Sequence, residues 1–239
     1  MATKVKALQA RLGNKLCKMA NDVFKSRDVR HFLSVPVTRK RAAHYIFERS
    51  YFHLNRRQCW AYVQATAPFD VKQRIWDHEQ DELHGNAERG VENHWVLGMR
   101  EGALVGLTPK DFKRPPSEGT LICTLAWARI ASNSSWLEAV SSSAVLEIAN
   151  SDAIIKGGGI AHRFARKMAR DIKIPIRKQP SNVEHIAVDI EHANLLFQVI
   201  KDHVKTREDE QLVLSGAAKG LAVNAAWLGF LARDMETLR

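Results

Sequence analysis

The sequence predicts an all-α protein, and three observations lead to this fold class. Apolar residues recur at three- and four-residue spacing in most segments between the glycine and proline breaks, as on the buried face of a helix. No stretch alternates apolar and polar residues, with the β-branched bias of a strand, for long enough to build a sheet. The 239 residues are 45% hydrophobic, which is enough for one sizeable core. Short linkers favour one compact domain.

The helices can be placed in chain order from their apolar spacing and their breaks. The first is predicted over about residues 4–24, where Leu12 and Leu16 share a face. The second starts after Thr38, which we interpret as its N-cap, and ends near Pro68. The remaining helices are predicted at about 71–83, 92–105, 120–131, 135–151, 157–172, 182–205 and 208–237.

The formal net charge of +10 is concentrated near the N-terminus. Residues 1–57 hold 14 Lys and Arg against 3 Asp and Glu. Only Arg39, Lys40 and Arg41 form a tight basic cluster, and no aromatic residues alternate with basic ones as in proteins that stack bases. The charge distribution therefore predicts no nucleic-acid partner.

Cysteine usage and the apolar runs predict the compartment. Cys17, Cys59 and Cys123 are widely spaced and odd in number, which argues against a disulfide framework and against a thiolate zinc site. No apolar run approaches the roughly 18 residues of a membrane span, and the first residues lack the apolar core of a signal peptide. We expect a cytoplasmic protein without a membrane partner.

The segment 183–193 carries the strongest chemical signal. At about 100° per residue, His185, Asp189 and His192 project within about 40° of one another from one helix. Their neighbours are apolar, so these polar groups would be buried at a cost unless they bind something. Imidazole and carboxylate suit iron, manganese or zinc. An ordinary His–Asp pair with a histidine at the core edge is the alternative interpretation.

Other helices offer inward acidic groups. Glu48 lies among aromatic residues, and its alternative role is a salt bridge. Glu147 lies in a very apolar segment, and its alternative role is a structural hydrogen bond. The segment 76–95 is rich in ligand types. Asp81-x-x-His84 repeats the spacing of Asp189-x-x-His192, as in the two-metal sites of ferritin-like bundles. Spacing alone does not choose between His84 and His94.

The combination of Asp81-Glu82, His94 with the segment that follows it, and His185-x3-Asp189-x2-His192 resembles the haem-oxygenase-like diiron oxidases. These enzymes share their fold with haem oxygenase, thiaminase II and the pyrroloquinoline quinone synthase. The resemblance covers about residues 40–205. It implies a single-domain haem-oxygenase-like helical bundle of about seven helices over residues 37–239, preceded by a basic N-terminal helix and connection over residues 1–36.

The resemblance also implies a site with two irons. Carried over by position, its ligands are Glu48, Glu82, His94, Glu147, His185, Asp189 and His192. The segment between the second and third of these residues is longer than the family pattern. This departure keeps Asp81 and His84 as rival ligands.

The implied activity is that of an oxidoreductase that uses dioxygen as co-substrate and an external electron donor. Family members act on small molecules, and an amino acid or amine is the expected substrate, through N-oxygenation or oxidative C–C cleavage to an alkene or nitrile. Fatty-acid decarboxylation is the alternative. Phe52, Trp95 and Phe197 are the expected pocket walls, and the substrate is aromatic in one version of this hypothesis.

Three further questions stay open in the sequence. One family branch oxidises its own tyrosine, but the three tyrosines lie on early helices, away from the His/Asp/His helix, which favours an external substrate: Tyr45, Tyr51 and Tyr62. A homodimer suits the resemblance and can use the first helix. The rival classes are a basic all-α interaction module without metal, a haem-dependent or cofactor-free relative, and a ferritin-like oxidase that uses His84.

Overall fold

A computed structural model describes the backbone of residues 2–238 and the side chains of residues 3–188 and 192–238. The backbone it describes forms eleven α-helices and two short 3-10 helices, and it contains no strand. The α-helices are α1 (Ala2–Val23), α2 (Arg27–Ser34), α3 (Arg39–Thr66), α4 (Phe69–His84), α5 (His94–Ala103), α6 (Glu118–Asn133), α7 (Trp136–Asn150), α8 (Ile160–Asp171), α9 (Pro180–His192), α10 (Asn194–His203) and α11 (Arg207–Thr237). The all-α prediction is confirmed.

The expected number of about seven helices is too low. The helix α2 was not predicted, because its eight residues are too few to show a helical period. Its N-cap Ser26 accepts a hydrogen bond from the backbone N–H of Val29 at 3.4 Å. The segment predicted as one helix over 182–205 is divided at Ala193 into α9 and α10. Neither glycine nor proline marks that break, so the sequence offered no signal for it.

Side-chain caps begin several helices where the sequence indicated. The predicted N-cap Thr38 accepts a hydrogen bond from the backbone N–H of Arg41 at 3.3 Å. Ser117 and Ser135 cap α6 and α7 in the same way. Thr206 and Asp209 form a reciprocal capping box at the start of α11.

The centre of the fold is the close packing of α7 against α11. An added Cβ at Gly216 would lie 2.1 Å from the carbonyl oxygen of Glu138, and one at Gly220 would lie 2.2 Å from that of Ser142. Only glycine therefore permits this approach of the two backbones. Contrary to the expectation from the sequence, α11 is long and apolar enough to cross a membrane, by length and composition only. Core helices of soluble proteins share this property, and 44% of its apolar 18-residue stretch is buried inside the bundle.

The basic N-terminal helix packs on the bundle. The side chain of Gln9 in α1 donates hydrogen bonds to the carbonyls of Lys201 and Val204, both at 2.9 Å. Lys15 and Arg11 form ion pairs with Glu210 of α11 at 2.7 and 3.0 Å. Part of the N-terminal charge is therefore used in contacts between helices.

Candidate metal centre

Two helices each present one polar face to the interior. On α4, His78, Glu79 and Glu82 are buried at positions i, i+1 and i+4, which places them on one side of the helix. On α3, His53 and Arg57 follow the same four-residue spacing. These faces meet α5, α7 and α9, and their polar groups form one buried cluster.

A tight loop between α4 and α5 brings His94 into this cluster. Gly85 ends α4 with φ +77°, and an added Cβ there would lie 2.4 Å from the carbonyl oxygen of Val91. Asn86 and Val91 exchange two backbone hydrogen bonds of 2.8 and 2.9 Å. Asn93 then caps α5, so that its first residue, His94, points inward and is buried.

Three imidazoles form the first half of the cluster. Ligand atoms of His53, His94 and His185 lie within 4.8 Å of one another, which is close enough to share a metal ion. The ring centroids of His94 and His185 are 4.7 Å apart, and those of His53 and His185 are 5.1 Å apart. An oxygen of the Glu82 carboxylate lies 2.9 Å from Nδ1 of His94.

Two imidazoles and a carboxylate form the second half. Ligand atoms of His78, Glu147 and His192 also lie within 4.8 Å of one another. The other oxygen of Glu82 lies 3.9 Å from Nδ1 of His192. The carboxylate of Glu82 therefore stands between the two halves, with one oxygen toward each.

Two arginines hold the carboxylates in place. Arg57 forms ion pairs with Glu79 at 2.8 Å and with Glu82. Arg56 donates to Glu147 at 3.0 Å and to the carbonyl of Ser143 at 2.8 Å. Because both guanidinium groups come from α3, this helix fixes the position of the two central carboxylates.

His185, His192 and Glu82 are in the protonation states that suit metal binding. Burial lowers the pKa of His185 to about 3 and that of His192 to about 4, so both imidazoles are neutral at neutral pH. Burial opposes ionisation of Glu82, but Arg57 and His94 outweigh it and hold its pKa well below the ordinary value. Neutral imidazoles and ionised carboxylates are the forms that ligate metals. His78 differs: burial lowers its pKa, but the carboxylates of Glu147 and Glu79 outweigh burial and raise it to about 9, so that this imidazole must release a proton when it binds a metal.

Unsatisfied nitrogen atoms provide a direct test of the fit. Neither ring nitrogen of His192, nor Nε2 of His78, has a hydrogen-bond partner among the described residues, and both side chains are buried. Buried polar atoms of this kind are costly unless a ligand satisfies them. The donor set of imidazole and carboxylate fits iron, manganese or zinc.

Most of the predicted ligands meet in the cluster: Glu82, His94, Glu147, His185 and His192. The side chain of Asp189 lies outside the described residues. Of the rivals, His84 is exposed at the end of α4, whereas Asp81 lies at the edge of the cluster, 3.9 Å from Nε2 of His192. The geometry therefore favours His94 over His84.

Glu48 is not brought to the cluster. Its carboxylate accepts a hydrogen bond from the backbone N–H of Ser117 at 3.0 Å, beside His44 at 3.9 Å. The reason is helix register: His53 and Arg57 face the cluster, and Glu48, five residues before His53, is turned about 140° away from it. The predicted role of Glu48 as a ligand therefore lacks support in the geometry.

Sequence reasoning missed His53 and His78. A signal was present, because His78 stands four residues before Glu82 and His53 four residues before Arg57, so that each pair shares a helix face. Periodicity does not reveal which face of α3 or α4 meets α9, so the two histidines could not be assigned.

A partly open cavity of about 60 Å³ adjoins Glu82, Glu147 and His185. Its wall combines aromatic and polar side chains, among them Tyr45, Phe52, Arg56, Asn150, Asn224 and Trp227. Nη1 of Arg56 is buried and has no hydrogen-bond partner in the described part of the chain. The cavity can thus hold a small molecule with a polar group beside the cluster.

The three residues predicted to wall the pocket lie in three different places. Phe52 lines the cavity, Trp95 lines a smaller gap beside His53 and His94, and Phe197 lies instead near Gly13 of α1. The expectation that the tyrosines lie away from the His/Asp/His helix is wrong for Tyr45, which shares the cavity wall with His185. Contact between α3 and α9 across the bundle is the reason.

Fold and site together define the class of protein: an all-α bundle with a buried cluster of histidines and carboxylates. No protein-family model matches the sequence, and no curated protein is significantly similar to it. Solved structures are similar in fold. A domain of unknown function with a haem-oxygenase-like fold from Shewanella denitrificans has a TM-score of 0.73 at 16% identity, covering 95% of this chain and 93% of that chain.

Two further solved structures are similar to this chain in fold. A CADD-like protein of unknown function from Nostoc punctiforme has a TM-score of 0.72 at 16% identity, covering 97% of this chain and 98% of that chain. A TenA homologue from P. horikoshii has a TM-score of 0.57 at 14% identity, covering 94% of this chain and 99% of that chain. The chain therefore has the haem-oxygenase-like fold, and the likeness extends well beyond residues 40–205.

Proposed function

We propose that this protein is a non-haem diiron oxidase that uses dioxygen to oxidise a small substrate. One observation carries the proposal: the carboxylate of Glu82 stands between two clusters of buried imidazoles, with an oxygen toward each. A carboxylate in this position is suited to bridge two metal ions. The likeness in fold to a CADD-like protein supports a diiron oxidase, whereas fold alone does not select a reaction.

In the proposed ligand set, His53, His94 and His185 would hold one iron, and His78, Glu147 and His192 would hold the other, with the carboxylate of Glu82 between the two groups. The resemblance adds Asp189. The histidines His53 and His78 go beyond the family pattern. Five imidazoles give the site more nitrogen donors than the three that the resemblance implies.

Bound iron would supply the electrons that reduce dioxygen. The residues of the chain prepare the site for this chemistry. Arg56 and Arg57 keep Glu147 and Glu82 oriented and ionised. Burial keeps His185 and His192 neutral, so that each imidazole offers a lone pair.

The cavity supports a small substrate with a polar group, such as an amino acid or amine. The side chains of Asn150 and Asn224 line the wall and present amide groups to it. Nη1 of Arg56 has no hydrogen-bond partner among the residues that the structure describes. Rings of Phe52 and Trp227 supply flat apolar walls. A fatty acid, the alternative substrate, would need a long apolar channel, whereas the wall of this cavity combines apolar side chains with polar ones.

Anaerobic titration of metal-stripped protein with Fe(II) tests the proposal. We expect about two irons per chain after desalting and a transient visible absorption band on mixing with oxygenated buffer. Both should be lost in Glu82→Ala and kept in Glu88→Ala, an exposed residue of the loop that follows α4. If the parent protein binds no iron and the site variants differ only in melting temperature, the interaction-module hypothesis replaces the enzyme.

A further inference from the structure

An opening of about 300 Å³ between α4 and α10 leads from the surface to the second half of the cluster. His78 and His192 form its inner end, and Asp77, Asp81 and Gln198 are among the residues toward the surface. By contrast, the cavity beside His185 is smaller, at about 60 Å³, and less open to the surface. The two halves of the cluster therefore differ in their access to solvent.

The inner end of the opening presents uncommitted ligand atoms. Both ring nitrogens of His192 and Nε2 of His78 lack hydrogen-bond partners within the described residues. The carboxylate of Asp81 lies 3.9 Å from Nε2 of His192, and its side chain is 35% exposed. One carboxylate thus touches both the solvent and a buried imidazole, at a spacing that admits a cation between them.

The outer part of the opening carries an excess of negative charge. Asp77 is exposed and Asp81 is partly exposed. The arginine that lines the opening, Arg74, is paired with Asp202 at 2.6 Å, which offsets its charge. Clefts lined by one sign of charge concentrate ions of the opposite sign and accelerate their entry.

We propose that divalent cations enter the centre through this opening and that Asp81 is a transient ligand on the way to His192. This inference rests on the proposed function, since it assumes that the cluster binds metal. In this proposal Asp81 and Asp77 control how fast the ion arrives. The buried histidines and Glu82 control whether it stays.

The test measures Co(II) uptake by metal-stripped protein in a stopped-flow instrument, because the visible bands of Co(II) report both the rate and the final environment. We expect Asp77→Asn/Asp81→Asn to lower the second-order rate constant on the order of tenfold at low salt, with the final stoichiometry and spectrum unchanged. Asp70→Asn is the matched control, because Asp70 lies on α4 but is bound to His203 and does not line the opening.

A second pair of variants changes charge without touching a proposed ligand. Gln198 is exposed beside the opening, so Gln198→Glu should raise the uptake rate and Gln198→Lys should lower it. Gln211→Lys, on the exposed side of α11, should leave the rate at the parent value.

Unchanged uptake rates in the double variant and in both Gln198 variants would overturn the route. A loss of bound Co(II) in Asp81→Asn would also overturn it, because Asp81 would then be a resident ligand. If the parent protein binds no Co(II) and no Fe(II), the proposed function itself fails. If the protein binds both ions and these variants leave the uptake rates unchanged, the entry route is wrong but the proposed function is not affected.

Discussion

Nδ1 of His94 lies 2.9 Å from a carboxylate oxygen of Glu82, although the two residues belong to different helices joined by a nine-residue loop. This contact depends on the sharp end of α4 at Gly85. It links the first cluster of imidazoles to the carboxylate that also faces His192. The tests that follow examine the ligands, the loop, the protonation states and the cavity.

Substitution of two similar glutamates should have opposite results. Glu147→Gln should lower bound iron below two per chain, because Glu147 is among the proposed ligands. Glu48→Gln should keep two irons and lower the free energy of unfolding by about 1–3 kcal/mol, because its charge-assisted bond to Ser117 is weakened. Iron analysis and urea denaturation measure the two effects. Iron loss in Glu48→Gln would return Glu48 to the ligand set.

The two rival histidines can be compared in the same way. His94→Ala should abolish stoichiometric binding of at least one iron, because His94 is buried against Glu82 and His185. His84→Ala should bind iron as the parent does, because His84 is exposed at the end of α4. The opposite pattern would favour the ferritin-like arrangement of ligands.

The extra imidazoles predict a spectroscopic change. His53→Ala and His78→Ala should each alter the visible spectrum of the Co(II)-loaded protein and weaken its metal affinity, because each removes a nitrogen donor from one cluster. His44→Ala serves as the control, because His44 lies beside Glu48 and Asp234. Spectra identical to that of the parent would show that the site uses only three histidines.

The loop geometry predicts unequal effects at two glycines with positive φ. Gly85→Ala should destabilise the protein by several kcal/mol and reduce iron binding, because its Cβ would collide with the backbone of Val91 and displace His94. Gly90→Ala should cost only about 1–2 kcal/mol, since no atom of the described residues lies within 4 Å of its added Cβ. Melting temperature and iron content report both outcomes. Equal losses at the two sites would argue against the described loop.

Metal-free protein should be most stable near pH 6.5, the ordinary pKa of histidine. The folded chain keeps His185 and His192 neutral, with pKa values of about 3 and 4, so stability falls as the unfolded chain takes up protons below about pH 6.5. The slope is about 1.4 kcal/mol per pH unit for each imidazole.

Above pH 6.5 the stability of the folded chain should fall as the pH rises. Burial lowers the pKa of His78, but the carboxylates of Glu147 and Glu79 outweigh burial and raise it to about 9. The stability that His78 contributes is therefore complete below about pH 6.5 and is lost as the pH rises through 9. Urea denaturation across this range measures both limbs. His192→Ala should make the loss of stability below pH 6.5 less steep, and His78→Ala should do the same for the loss above it. If neither pH dependence changes, these histidines are not its cause.

The fold class could be predicted from the sequence because helical periodicity and capping are local properties. Thr38 caps α3 as expected, and the predicted segments match most of the observed helices. The stripe of His185 and His192 could be recognised for the same reason, since two residues on one helix keep their relative orientation wherever the helix packs. The buried position of Glu147 followed from its apolar neighbours.

The remaining properties depend on how the helices pack, which periodicity does not encode. Glu48 and His53 lie five residues apart on α3, yet only His53 meets the cluster, because the rotation of α3 is set by its contacts with α5, α6 and α7. The break at Ala193 is likewise invisible in the residues around it. Packing also places Tyr45 and Asn224 in one cavity wall, since residues far apart in the chain become neighbours only when the bundle closes.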